Sequence, residues 1–188
     1  ITNSTFNNIT TGGTLGNGGA ISIDAVAKND PVTITDCTFT NITGGAIGGV
    51  IYCYPIDENI IRDCSFNDIT QLGTASTHGS GIWLGSNNSA TEHTIKNCTF
   101  ADVTVTHSHQ GGVIFVDDGT VNVLDCDFRD VTCSHASTDG GALRIDGTGT
   151  GPALVSNCTF FAVSSGSGSA SQGGAIYVAA KPDDVRIV

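Results

Sequence analysis

A short motif recurs six times along the chain and constrains the fold more than any other feature. Each copy reads hydrophobic, polar, Asn or Asp, Cys, polar, Phe, and the first copy has Ser4 in place of Cys. The copies end at Phe6, Phe39, Phe66, Phe100, Phe128 and Phe160. Self-similarity at a period of about 30 residues is typical of solenoids, in which each repeat packs only on its neighbours.

Each repeat contains signals for three short strands. One strand begins at a Gly-Gly pair, one is an alternating stretch such as Val32-Thr33-Ile34, and one is the Cys-x-Phe segment. The Gly-Gly starts are Gly18-Gly19, Gly48-Gly49, Gly111-Gly112, Gly140-Gly141 and Gly173-Gly174, and we align Ser80-Gly81-Ile82-Trp83 with them as the third copy. No hairpin or helix signal separates the strands, so they must wind as coils that pair in parallel.

In-register coils stack equivalent residues into ladders. The prediction places the phenylalanines in one inward ladder and Ile21, Ile51, Trp83, Ile114, Leu143 and Ile176 in another. The residue before each Cys is always Asn or Asp, which tolerates the left-handed backbone of a tight corner. This corner ladder comprises Asn3, Asp36, Asp63, Asn97, Asp125 and Asn157.

Charge and hydropathy limit the partners. The formal net charge of −11 repels phosphate backbones, which excludes nucleic acid as an expected partner. No run approaches the ~18 consecutive apolar residues of a membrane-spanning helix, so we expect no membrane insertion by this segment.

The repeats resemble those of right-handed parallel β-helix proteins with a pectate-lyase-like fold. They look most like the Gly-Gly-Ala-Ile repeats of polymorphic outer membrane proteins and related microbial surface proteins, through Gly18-Gly19-Ala20-Ile21, Gly140-Gly141-Ala142-Leu143, Gly173-Gly174-Ala175-Ile176 and the Phe turns. The resemblance implies an extracellular surface, adhesive or passenger role and carries over no catalytic residue.

Five of the seven cysteines share one repeat position: Cys37, Cys64, Cys98, Cys126 and Cys158. Their stacked Cα atoms would lie within disulfide range. Five is an odd number, however, and stacked side chains point the same way rather than at each other. We therefore interpret them as buried free thiols that act as small hydrophobes. Cys53 takes an inward strand position, and Cys133 is predicted to lie alone in a loop.

Alternation in the Gly-Gly strand predicts an apolar outward face. It sends Ser22, Tyr52, Leu84, Phe115, Arg144 and Tyr177 outward, and Ala20, Val50, Ile82, Val113, Ala142 and Ala175 are assigned to the same face. A long loop folded across this face, a partner surface, or a platform on which sugars stack would each explain its composition. Tyr52, Leu84, Phe115 and Tyr177 are the candidate residues for a partner or glycan.

Asparagine and histidine supply two further candidate sets. The sequons for N-glycosylation are Asn3, Asn8, Asn41, Asn87, Asn97 and Asn157. Alternatively, these asparagines simply serve the corners. The histidines before the Gly-Gly starts, His78, His107, His109 and His135, could converge with Asp139 on zinc or copper, but exposed loop histidines are common, so no metal site is assigned.

Carboxylates follow equivalent strand ends at Asp24, Asp117 and Asp146, with Asp118 beside them. Paired carboxylates can act as acid and base on a glycosidic bond. Polysaccharide lyases of this fold also need a placed Arg or Lys, and only Arg144 is near. The simpler interpretation is that these aspartates make turns. A loosely bound calcium ion is the one cofactor they would suit.

The sequence therefore predicts an all-β, right-handed parallel β-helix of about six coils with three short strands each. Residues 1–188 are expected to form a single segment of a longer solenoid that continues at both ends. The predicted function is a non-enzymatic, extracellular, structural or adhesive module of a cell-surface or filament glycoprotein. Its expected partners are other chains, further coils of the same protein, and glycans. The alternatives are a carbohydrate-active β-helix enzyme and a carbohydrate-binding module.

Overall fold

The computed structural model describes residues 1–11, 16–24, 31–44, 47–54, 58–72, 81–86, 91–106, 111–135, 138–146, 152–166, 171–179 and 185–188. Within these ranges the chain forms eighteen strands and no helix. The strands alternate regularly among three sheets in chain order, and every pairing between them is parallel. The described residues also contain no helix with the length and hydrophobicity needed to cross a bilayer.

Each sheet collects one strand from every repeat. Sheet 1 contains β1 (Thr5–Thr10), β4 (Thr38–Gly44), β7 (Ser65–Gln71), β10 (Thr99–Val105), β13 (Asp127–Cys133) and β16 (Thr159–Ser164). Sheet 2 contains β2 (Ile21–Asp24), β5 (Ile51–Tyr54), β8 (Ile82–Leu84), β11 (Ile114–Val116), β14 (Leu143–Ile145) and β17 (Ile176–Val178). Sheet 3 contains β3 (Val32–Thr35), β6 (Glu58–Arg62), β9 (Glu92–Lys96), β12 (Thr120–Leu124), β15 (Ala153–Ser156) and β18 (Val185–Ile187). The predicted parallel β-helix is thereby confirmed.

The phenylalanine ladder fills the interior behind sheet 1. Phe39 pairs in register with Phe66, and the same register continues through all six repeat phenylalanines. Neighbouring rings stack with centroids 4.7 to 5.0 Å apart and with ring planes inclined by 10° or less. The ring spacing follows the strand spacing of about 4.8 Å, so the backbone register dictates the aromatic packing.

Two ladders of left-handed residues shape each coil, and the sequence analysis predicted one of them. The predicted corner before Cys has φ between 47° and 55° in all six copies. A second ladder lies inside the sheet 1 strands, two residues after each repeat phenylalanine. It comprises Asn8, Asn41, Asp68, Asp102, Asp130 and Ala162, with φ between 52° and 57°. Strand pairing skips this residue, so each sheet 1 strand bends there and runs on beyond the predicted Cys-x-Phe segment.

The third coil has a different register from the predicted one. Ile82, not Trp83, pairs with Ile51 and Ile114, so Ile82 belongs to the inward ladder and Trp83 points to the other side of sheet 2. The predicted alignment was one residue out, because Gly81 bonds to Val50 and Val113 and so occupies the third position of the motif. A slip of one residue reverses every side chain in a strand.

Close contact between the backbones of adjacent coils requires glycine at the second position of the Gly-Gly pair. A Cβ atom on Gly112 would overlap the carbonyl oxygen of Gly141 in the next coil, whereas a Cβ atom on the equivalent Gly174 would meet no atom within 4 Å. Val50, Val113 and Ala142, which follow the pair, are fully buried in the main core rather than on the outward face predicted for them.

We expect Gly112→Ala to lower the free energy of unfolding by about 3 kcal/mol, because the added methyl group forces two coil backbones apart. Gly174→Ala is the matched control and should change stability by less than about 0.5 kcal/mol. Urea denaturation followed by circular dichroism measures both. Equal stability of the two variants would contradict the close approach.

Candidate functional site

The outward ladder of sheet 2 forms a second, smaller hydrophobic cluster. The ladder, read in register along the coils, consists of Ser22, Tyr52, Trp83, Phe115, Arg144 and Tyr177, and the cluster is formed by its three central aromatic residues. Tyr52 stacks on Trp83 with centroids 4.7 Å apart, and Trp83 lies 6.5 Å from Phe115. These three rings are 8%, 7% and 1% exposed. Ile47 and Tyr54 pack against them.

Burial of these rings favours the alternative in which this face is covered over the one in which it is an exposed partner or glycan face. Leu84 is fully buried in the main core, between Cys53 and Val116 of the adjacent coils. Tyr52 and Phe115 point to the predicted side, but they are buried, and Tyr177 is half-buried. Alternation in the sequence reports the side to which a residue points and not whether that side is covered. These rings therefore do not form an exposed platform for a sugar.

Arg144 continues the aromatic ladder with a planar cation. Its guanidinium carbon lies 5.8 Å from the Phe115 ring centre and 5.0 Å from that of Tyr177. Nε and Nη2 donate to the two carboxylate oxygens of Asp146 at 2.8 and 2.7 Å, and Nη1 donates to Asp139 at 2.8 Å. The arginine side chain is only 9% exposed, so the charge is neutralised where it is buried.

We expect Arg144→Met to lower the free energy of unfolding by about 3 kcal/mol or more, because Asp139 and Asp146 would be left as uncompensated, largely buried charges. Arg62→Met removes an ion pair with Asp63 at the surface, where the arginine side chain is 53% exposed. That control should cost less than about 1 kcal/mol. Thermal denaturation of both variants measures the difference, and similar losses would argue against a stabilising role for the Arg144 contacts.

The predicted cysteine ladder is present and consists of free thiols. Cys37, Cys64, Cys98 and Cys126 are buried, and Cys158 is half-buried. Each Sγ lies 3.1 to 3.3 Å from the backbone carbonyl oxygen two residues earlier. Contacts with the thiols of Cys126 and Cys64, together with burial, raise the pKa of Cys98. The Cys98 thiol, held protonated in this way, is a poor nucleophile.

The two remaining cysteines are also buried. Cys53 takes the inward position of β5, as predicted, and burial raises its pKa to about 12. Cys133 does not lie in a loop. It is the last residue of β13 and is 3% exposed, and burial raises its pKa to about 12. Neither residue offers a reactive thiolate at neutral pH.

A polar pair interrupts the interior of sheet 3. Asn59 and His93 are in register on β6 and β9, and both are fully buried. Nδ2 of Asn59 lies 2.9 Å from Nδ1 of His93, and Nε2 of His93 lies 2.8 Å from the carbonyl oxygen of Asp118. A neutral ring that accepts at Nδ1 and donates from Nε2 satisfies both contacts. Burial lowers the pKa of His93 to about 4.

This pair predicts a loss of stability in mild acid. The unfolded chain takes up a proton on His93 below about pH 6.5, whereas the folded chain does so only below about pH 4. The neutral ring therefore makes its full contribution to the free energy of unfolding above pH 6.5. That contribution, about 3 kcal/mol, is lost as the pH falls towards 4.

The matched control replaces both members of the pair, as Asn59→Val with His93→Val, because Val32 and Val121 already occupy the same ladder. We expect the free energy of unfolding of the native chain to fall by about 3 kcal/mol more than that of the double variant between pH 7 and pH 4. Urea denaturation across this pH range measures it. Parallel pH profiles would rule out His93 as the source.

The asparagines of the five described sequons are exposed and have left-handed backbones, three of them at the corners (Asn3, Asn97 and Asn157) and two within the strands of sheet 1 (Asn8 and Asn41). Nδ2 of Asn41, Asn97 and Asn157 donates to the side chains of Asn8, Asp63 and Asp125 one coil earlier, at 3.1, 2.7 and 2.8 Å. Nδ2 is also the atom to which a glycan would be attached. These contacts support a structural role for the asparagines in both left-handed ladders. Glycosylation stays a prediction, and Asn87 lies outside the described residues.

Only one of the four candidate histidines lies in the part of the chain that the structure describes. His78, His107 and His109 lie outside the described residues, and His135 is half-buried. Within the described ranges, no three His, Cys, Asp or Glu side chains are arranged to hold a metal ion. Asp139 and Asp146 bind Arg144 instead, and Asp118 accepts a turn hydrogen bond from the amide of Gly119 at 2.8 Å.

An open groove on the outer surface of sheet 1 was missed by the sequence analysis. It has a volume of about 360 Å³ and is lined by Asp127, Arg129, Asp130, Thr159 and Phe161. Phe161 is 65% exposed. The signal was the Phe160-Phe161 doublet: the first ring enters the core, and the second takes an outward position filled elsewhere by Asn7, Thr40, Asn67, Ala101 and Arg129.

Comparison with known proteins gives one match. The Chlamydia polymorphic membrane protein (Chlamydia_PMP) repeat matches residues 36–54, from the corner at Asp36 through β4 to the end of β5. No curated protein and no solved structure matches the chain. The segment that matches contains the corner, the repeat phenylalanine and the Gly-Gly start, and so covers two of the three strands of one coil. The chain is therefore a parallel β-helix repeat protein that resembles the chlamydial polymorphic membrane proteins in its repeat.

Proposed function

We propose that this chain is a non-enzymatic, extracellular module of a cell-surface protein, and that its β-helix presents an adhesive surface. The observation that carries the proposal is the match of residues 36–54 to a membrane-protein repeat, within coils that share the same stacking from end to end. A stack of coils supplies a long and rigid exposed surface, which suits the presentation of binding sites away from a cell.

The titratable groups inside the fold support the absence of catalysis. Catalytic acids and bases need access to substrate and a pKa close to the working pH. His93 is fully buried with a pKa lowered to about 4 by that burial, and the Arg144 guanidinium is held by two carboxylates. Of the strand-end aspartates, Asp146 is engaged by the same guanidinium, and burial raises the pKa of the Cys53 and Cys133 thiols to about 12.

The surface chemistry supports partners that are proteins or glycans. A net charge of −11 disfavours anionic polymers, and exposed hydroxyl and amide side chains along the coils can bind neutral polar ligands. Other chains, further coils of the same protein and uncharged glycans are the partners we propose. Filament assembly, glycosylation and a loosely bound calcium ion remain predictions from the sequence.

An antibody raised against residues 1–188 should label intact, unpermeabilised cells of the source organism, and beads coated with the chain should bind host or neighbouring cells more than beads coated with albumin. The purified chain should release no products from polygalacturonate, with or without calcium. Labelling that requires permeabilisation would refute the surface location. Turnover that disappears in Asp117→Ala would refute the non-enzymatic role.

A further inference from the structure

We propose that the groove beside Phe161 binds a neutral sugar ring, such as the terminal residue of an uncharged glycan. This inference names the ligand class of the adhesive role proposed above and rests on that role. The groove is distinct from the outward ladder of sheet 2, whose rings are buried, and it contains a well-exposed aromatic side chain in the middle of a described strand.

Phe161 gives the groove its apolar floor. It stands on β16, where its backbone pairs in register with Arg129 of β13, and its ring is 65% exposed. The equivalent residues in the first three coils are the polar Asn7, Thr40 and Asn67, so the exposed ring is a departure from the repeat. The C–H groups on one face of a pyranose carry partial positive charge and pack against the negative face of such a ring.

Polar groups on the neighbouring coil and on β16 itself line the rest of the groove. Asp127 and Arg129 are two residues apart on β13, so they project from the same face and form an ion pair. Asp130 follows at the left-handed position, with φ of 54°, and Thr159 pairs with Asp127. Carboxylates accept hydrogen bonds from sugar hydroxyls, and the guanidinium and the threonine hydroxyl donate to sugar oxygens.

Size and charge favour a neutral sugar over other occupants. The volume of about 360 Å³ is at the lower end for small-molecule sites and suits one or two sugar rings. A stable protein interface buries about 800 Å² on each partner around a larger apolar centre, and Phe161 is a single ring. Two carboxylates against one guanidinium leave the groove acidic, which disfavours sialic and uronic acids.

Each substitution in the groove introduces a residue that already occupies the equivalent position in another coil, so the variants should keep the fold of the coil. Phe161→Thr introduces the residue that Thr40 supplies at the same position, and Asp130→Asn introduces a residue that is accepted in the left-handed conformation at Asn8 and Asn41. Leu72→Ala is the matched control, because Leu72 is an exposed apolar side chain, at 54%, immediately after β7 and outside the groove.

The experiment titrates the ¹⁵N-labelled full chain with lactose, chitotriose and 3′-sialyllactose and follows backbone amide shifts. We expect lactose or chitotriose to shift amides of residues 127–130 and 159–162 at millimolar concentration, with sialyllactose binding more weakly than lactose. Phe161→Thr should weaken binding at least tenfold, and Asp130→Asn severalfold. Leu72→Ala should bind as the native chain does.

Three results would overturn the sugar site: no shift with either neutral sugar, shifts centred elsewhere, or tighter binding of sialyllactose than of lactose. Bead adhesion with the Phe161→Thr variant separates this inference from the proposed function. If beads coated with the native chain bind cells but the native chain binds no sugar, the adhesive role stands and the Phe161 sugar site is refuted. If the native chain shows neither cell adhesion nor sugar binding, the adhesive role and the sugar site are both refuted.

Discussion

Parallel hydrogen bonding between coils, in strict register, is the constraint on which the rest of the structure depends. It places each residue about 4.8 Å from its counterpart one coil away, so the side chain at every position must pack against the equivalent side chain of the next coil. Phenylalanine rings meet this condition by stacking, and the thiols of the cysteine ladder meet it by bonding to backbone carbonyls. At the corners, amide and carboxylate side chains pair from coil to coil.

The coil could be predicted wherever a residue type is dictated by backbone geometry. Asn or Asp before Cys was predictable because a two-residue corner needs a left-handed residue, and Cys and Phe follow at fixed distances. The second left-handed ladder carried the same signal at Asn41 and Asp68, but the predicted strand ended at the phenylalanine, so these residues were not recognised as lying within a longer strand. Trp83 was placed on the wrong side because its Gly-Gly start is imperfect, and a one-residue error reverses the strand.

Interactions made by residues that do not recur in every coil could not be predicted from the repeat pattern. Tyr52 and Phe115 were predicted to point outward, and they do, but alternation carries no information about the atoms that lie above a sheet. The Asn59–His93 pair depends on two polar residues in adjacent coils meeting at one inward position, and its lowered histidine pKa follows from burial alone. Arg144 likewise requires Asp139 and Asp146 to converge, which spacing along the sequence does not determine.

Residues that differ from their equivalents in the other coils are the ones available for a specific function, because the repeating residues are needed for stacking. His93 and Arg144 are such departures, but both are buried and have local partners. Phe161 is a departure that remains accessible. Since each coil contacts only its neighbours, a change on its outward face perturbs little beyond that coil. A solenoid can therefore vary its binding residues while it keeps its core, a property that suits the proposed role of presenting a recognition surface.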